Sequence, residues 1–167
     1  MGVIATTDLV KQLDLCKNFG DVFEVVKKTA ELSLGRRRSG LMLYLAELPE
    51  QVGAYHAVGT NGIVMNKSAL DAVTRSARTI REINSYVYSI LLHEYLHALG
   101  YIEEPQVRRL VYEISKENLG VDHLATEIAH RGPAVIFPGV GEPRLRERSE
   151  DVELITDFDR STDSYIK

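Results

Sequence analysis

Residues 89–100 place the strictest limits on how this chain can fold. They contain the pattern His-Glu-x-x-His, formed by His93, Glu94 and His97, in an apolar, helix-favouring run that ends at a glycine. Residues four apart lie one turn above each other on an α-helix, so His93 and His97 share a face on which both can bind one metal ion. Glu94 follows about 100° around the helix from His93, close enough to reach a water molecule on that metal.

The helix that carries this pattern is predicted to run from about residue 79 to residue 99 and to lie at the centre of the fold. Apolar residues such as Leu91, Tyr95 and Leu96 occupy nearly its whole circumference, beside the histidine pair as well as opposite it. Burying two histidines and a glutamate without partners costs several kcal/mol, and a metal ion would supply the partner. Two imidazoles, an open coordination position and an adjacent carboxylate are what hydrolytic zinc chemistry requires.

Composition predicts one domain with a tail. The chain has 167 residues and a net charge of −4, which gives no case for nucleic-acid binding. A single cysteine, Cys16, excludes an internal disulfide framework, and no signal peptide or apolar run of about 18 residues is present. We expect a cytoplasmic, non-membrane protein whose core domain spans residues 1–138, with a charged extension over residues 139–167, and whose oligomeric state the sequence leaves open.

The remaining patterns predict an α+β fold that is mainly helical, with a small sheet of three to four strands packed on the central metal-binding helix. Residues 6–34 read as helical, and two further helices are expected near residues 105–118 and 121–130. A turn at Pro49-Glu50 indicates a hairpin between the first two strands. Strands are predicted at residues 41–48, 51–58, 63–66 and 135–137. The charged extension is expected to be loosely docked or disordered.

A catalytic zinc site usually has three protein ligands and a water molecule, so a third ligand is expected after His97. His123, Glu127 and His130 are spaced to form one stripe on the helix over residues 121–130. We predict His123 as the third ligand, with Glu127 next. His130 then becomes a candidate catalytic group that would stabilise a developing oxyanion or support a ligand.

Two glutamates are alternative third ligands. Glu103 occupies the third-ligand slot of the longer pattern His-Glu-x-x-His-x-x-Gly-x-x-His, but that pattern is accompanied by a downstream methionine, and this chain has none after Met65. Glu103 also suits the first turn of the following helix, where the helix dipole favours a negative charge. Glu113 is spaced to pair with Arg109 on a solvated helix face.

The order of these features resembles the compact zincin metalloproteases, namely the ImmA/IrrE-type and SprT-like families and the minigluzincins. The resemblance covers roughly residues 41–138 and depends mainly on His93, Glu94, His97 and the strand at residues 63–66. It implies that the two histidines bind zinc and that Glu94 is the general base. It also implies an edge strand that binds extended peptide antiparallel, formed by Ile63, Val64, Met65 and Asn66. The ImmA/IrrE-type and minigluzincin families use glutamate as third ligand, whereas SprT-like enzymes use histidine.

Two hypotheses from different classes follow. In the first, the protein is a zinc-dependent metallopeptidase that hydrolyses peptide or protein substrates with Glu94 as general base. In the second, it is a non-catalytic regulatory or adaptor domain whose zinc site is structural. A structural site is closed by four protein ligands, which His93, His97, His123 and either Glu127 or His130 could provide.

Overall fold

In a computed structural model, residues 6–141 and 150–160 of the chain are described. Within these ranges the chain combines helices with a small four-stranded mixed sheet, and the α+β class is confirmed. The elements in chain order are α1 (Thr6–Asp14), α2 (Phe19–Leu34), β1 (Met42–Ala46), β2 (Ala54–His56), β3 (Gly62–Asn66), α3 (Lys67–Ser76), α4 (Ile80–Ala98), α5 (Glu104–Leu119), α6 (Leu124–Arg131), α7 (Pro133–Ile136) and β4 (Glu153–Ile155).

The central helix predicted from the sequence is α4, and it begins at a reciprocal cap. The hydroxyl of Thr79 accepts a hydrogen bond from the backbone N–H of Glu82, and the Glu82 carboxylate accepts one from the backbone N–H of Arg78. The helix contacts α1, α2, α5, α6 and β2. Tyr88 and Tyr95 are completely buried on it. The near-complete burial predicted from the apolar pattern is therefore observed.

The sheet has the strand order β2-β3-β1-β4. Strand β1 pairs parallel with β3 and antiparallel with β4, whereas β2 pairs antiparallel with β3. The predicted hairpin around Pro49-Glu50 is wrong, because β1 and β2 are not neighbours. The segment between these strands instead folds around Asn66, whose side-chain amide donates to the carbonyls of Leu48, Pro49 and Val52.

The prediction that residues 63–66 form an edge strand is also wrong. Ile63, Val64 and Met65 pair with β2 on one side, and Ile63 to Asn66 pair with β1 on the other. The edge on that side of the described sheet is β2, which is only three residues long. Strand β2 contacts α4, and the preceding Gly53 lies so near this helix that an added Cβ would be 3.3 Å from Cδ1 of Ile90.

The strand predicted at residues 135–137 is wrong, because the short helix α7 covers most of these residues. This helix begins at Pro133, and proline is favoured in the first turn of a helix. Among the described residues, no helix has the length and apolar content needed to cross a lipid bilayer.

The described part of the C-terminal extension is tied to the core, so the expectation of a loosely docked or disordered segment is wrong for residues 150–160. Phe158 is 3% exposed and stacks on Phe23 with 4.2 Å between ring centroids. The Asp159 carboxylate accepts a hydrogen bond from Nζ of the buried Lys27 at 2.7 Å. The same carboxylate also accepts hydrogen bonds from the backbone N–H groups of Gly40 and Leu41. Residues 150–160 therefore pack against α2 and the segment that leads into β1.

We predict that Phe158→Ala lowers the free energy of unfolding by about 3 kcal/mol or more, because a fully packed aromatic ring is lost from the core. The matched control is Leu154→Ala on β4, where the side chain is 47% exposed and the expected loss is about 1 kcal/mol or less. Urea denaturation of the full chain measures both values. Equal, small losses for the two variants would contradict the docking of this segment.

Candidate metal centre

His93 and His97 lie one turn apart on α4, as the spacing predicted, and their rings are 5.1 Å apart between centroids. Together with Glu94 they form a group in which one potential ligand atom from each residue lies within 4.8 Å of the others. It is the one group of this kind found in the described ranges. Both histidines are partly buried, with 23% and 11% of their side chains exposed. Burial lowers the pKa of His93, and the negative charge of Glu104, which would raise this pKa, only partly offsets the effect.

The end of α4 fixes the orientation of the His97 ring. Gly100 has a φ of +108°, which a residue with a side chain rarely adopts. Its N–H donates a hydrogen bond to the carbonyl of His97, and the N–H of Tyr101 donates one to the carbonyl of Leu96. This turn places the Tyr101 carbonyl 2.8 Å from Nδ1 of His97. A proton on Nδ1 then leaves the lone pair of Nε2 free for a metal ion.

Glu104, the first residue of α5, faces both histidines. Its Oε1 lies 2.6 Å from Nε2 of His97, and its Oε2 lies 3.1 Å from Nε2 of His93. Burial raises the pKa of Glu104, but the neighbouring histidines outweigh burial and hold this pKa below its usual value. One carboxylate therefore lies within hydrogen-bond distance of Nε2 on both histidines. Glu104 is not in the group of His93, Glu94 and His97 described above, but from these distances we infer that it would serve as the third ligand of a bound metal.

Glu94 is on the buried side of the same group. Its side chain is 5% exposed, and burial raises its pKa to about 7, against the opposing charge of His97. Oε2 of Glu94 is buried and has no hydrogen-bond partner in the described part of the chain. An orphaned buried carboxylate oxygen is costly, and it is most simply understood as a group whose partner arrives with metal, water or substrate.

The structure does not bring the predicted third ligand, His123, to this group, and the prediction is corrected. His123 is the N-cap of α6 and not a residue within it, so the stripe expected with Glu127 and His130 does not form. Its Nδ1 accepts the backbone N–H of Ala125 at 3.0 Å, and its Nε2 lies 3.0 Å from Oδ1 of Asp14. The Nδ1 atom therefore caps α6, and the Nε2 atom ties this cap to Asp14 at the end of α1.

The other predicted site residues have different contacts. Glu127 pairs with Arg131 at 3.1 Å, and Glu113 pairs with Arg109 at 3.9 Å, as its spacing indicated. His130 is exposed and its ring lies 5.2 Å from that of Tyr112. Glu103 is exposed at the N-cap of α5 and its side chain makes no capping hydrogen bond. None of these contacts joins the histidine pair, and the residues of β3 predicted to bind substrate lie inside the sheet.

Sequence reasoning missed Glu104, although a signal for it was present. Pro105 marks the first turn of a helix, where acidic residues are favoured. Glu104 is in that turn and follows the histidine pair after a connection of only a few residues. It is one position beyond the slot that Glu103 occupies, and its position depends on how the turn at Gly100 directs the chain, which spacing alone does not determine.

The donor set fits a metal ion. Two imidazole nitrogens and one carboxylate are a ligand set that catalytic zinc uses, and the Tyr101 carbonyl supplies the outer contact that commonly orients a histidine ligand. Comparisons of the chain with models of protein families, with curated proteins and with solved structures found no match. The candidate metal centre therefore stands on its own geometry.

We predict that Glu104→Gln weakens zinc binding by more than about a hundredfold, because loss of an outer contact alone can cost that much and Glu104 is placed as a direct ligand. His97→Ala should abolish stoichiometric binding. Glu103→Gln is the matched control, since it removes the same charge one residue away and should leave affinity within about threefold. Competition against a chromophoric chelator measures each affinity, and equal effects of the two glutamate changes would refute the role of Glu104.

Proposed function

We propose that this protein is a zinc-dependent metallopeptidase, with zinc held by His93, His97 and Glu104. The observation that carries the proposal is the buried, unpartnered Oε2 of Glu94 beside the histidine pair. A structural zinc site needs no such group, whereas peptide hydrolysis requires a base at this place. With these three side chains as ligands, a bound zinc ion would leave a position for water and would supply the Lewis acidity that activates water and a peptide carbonyl.

Glu94 performs the proton transfers in this proposal. Its carboxylate accepts the proton of the attacking water and then delivers it to the nitrogen of the departing amine. Burial on α4 restricts the side chain and holds its carboxylate beside the histidine pair, where the proton must be taken up and released. The Nδ1 contact of His97 with the Tyr101 carbonyl keeps that ring in one orientation throughout.

The corrected sheet order supports a different strand for substrate binding. Strand β2 is an edge of the sheet and contacts α4. We propose that an extended peptide adds to the free edge of Ala54–His56, with backbone hydrogen bonds supplying most of the contact. This strand replaces residues 63–66 in the role that the resemblance to zincins implied.

We predict that Glu94→Gln lowers kcat/KM on an unfolded protein such as casein by about 10²- to 10⁴-fold, because the general base is removed. Bound zinc should be unchanged, since Glu94 is not proposed as a ligand. Glu113→Gln is the control, because Glu113 is exposed and pairs only weakly with Arg109, and it should retain full activity. Quantifying new amino termini gives the rate. Glu94→Gln with wild-type activity, or loss of zinc together with activity, would overturn the assigned role.

A further inference from the structure

A pocket of about 180 Å³ opens beside His93, where α4, α5 and α6 meet. Its apolar wall is formed by Ile90 from α4, Val111 from α5, and Ile128 with Ala129 from α6. Val111 and Ile128 are almost fully buried and belong to two different apolar clusters, and Ile90 packs against both clusters. The pocket therefore occupies a gap between two parts of the core that the helices leave unfilled.

The polar side chains of the lining are Ser89, His93 and Arg108. Arg108 is 75% exposed, so its guanidinium lies on the solvent side, and its Nε is 3.9 Å from Oε2 of Glu104. A cationic group entering the pocket would meet this positive charge and an apolar interior. An apolar group would instead remove its own surface from water against Val111 and Ile128.

We propose that this pocket binds one apolar side chain of the substrate, from a residue next to the scissile bond, and favours Leu and Phe over Ala and Lys. The role of the pocket in peptide cleavage rests on the proposed peptidase function, whereas the preference for an apolar group rests on the side chains that line the pocket. His93 forms part of the wall, so an occupant lies directly beside the candidate metal centre. The volume is suitable, because a dry apolar cavity of about 150 Å³ accommodates benzene.

The first test compares peptides that differ only at the residues flanking the cleaved bond. Wild type should cleave a Leu or Phe peptide about tenfold faster in kcat/KM than the Ala peptide, which is a modest discrimination for an apolar pocket. Val111→Ala should shift the preference from Leu toward Phe several-fold by enlarging the pocket. Val107→Ala is the matched control, because Val107 is equally buried one turn away on α5 but does not line the pocket.

The second test uses the chelator-treated, metal-free full chain, so that it does not depend on catalysis. Saturation-transfer NMR should show binding of N-acetyl-leucinamide and much weaker binding of N-acetyl-alaninamide. Ala129→Leu should reduce the N-acetyl-leucinamide signal at least several-fold by filling the pocket, with thermal melting used to verify that the variant folds. Val111→Ala provides a second variant, in which the phenylalanine analogue should gain signal relative to the leucine analogue.

The outcomes separate this inference from the proposed function. Cleavage without preference at the flanking residues, or equal probe signals in wild type and a folded Ala129→Leu, would overturn the pocket assignment while the peptidase proposal stood. The protein could bind N-acetyl-leucinamide, lose this binding in Ala129→Leu, and yet cleave no peptide. That result would overturn the peptidase proposal, but the pocket would still be a site for apolar groups. A change of preference in Val107→Ala equal to that in Val111→Ala would also refute the pocket assignment.

Discussion

The burial of α4 on nearly every side is the constraint on which the rest of this structure depends. A helix in that position has little solvent to satisfy polar groups, so leaving a polar side chain on it without a partner from another element is costly. The amide of Asn84 donates to the carbonyls of Leu13 and Cys16 at the end of α1. Glu104 provides the partner for His93 and His97, from the first turn of α5. Glu94 is left with an oxygen that no described residue satisfies.

The features of α4 that could be predicted from the sequence depend only on residues that are close together in the chain. The spacing of His93 and His97, the start of α4 at Thr79 and its end before Gly100 follow from helix geometry and capping. The third ligand is not local in the same sense. The position of Glu104, the proposed third ligand, depends on the direction in which five residues turn the chain after α4, and one position separates it from the exposed Glu103.

The wrong predictions concern features that contacts between residues distant in sequence decide and that local patterns do not show. His123 fits a helical stripe by spacing, but it lies just outside α6 and caps it. Residues 63–66 were expected at the edge of the sheet, but β2, which lies within the strand predicted at residues 51–58, pairs beside them. The charged composition of residues 139–167 gave no indication that Phe158 and Asp159 contact α2. The contact of Asp159 with Lys27 joins residues that are 132 positions apart in the sequence.

The crystal structure of the zinc-loaded protein, with the metal located by anomalous scattering, would test the central claim most directly. We expect zinc on Nε2 of His93, Nε2 of His97 and a carboxylate oxygen of Glu104, with a water molecule within hydrogen-bond distance of Glu94. Zinc held without Glu104 would contradict the ligand set. Zinc closed by a fourth protein ligand, whether Glu94 or His123, would contradict the catalytic interpretation and favour a structural site.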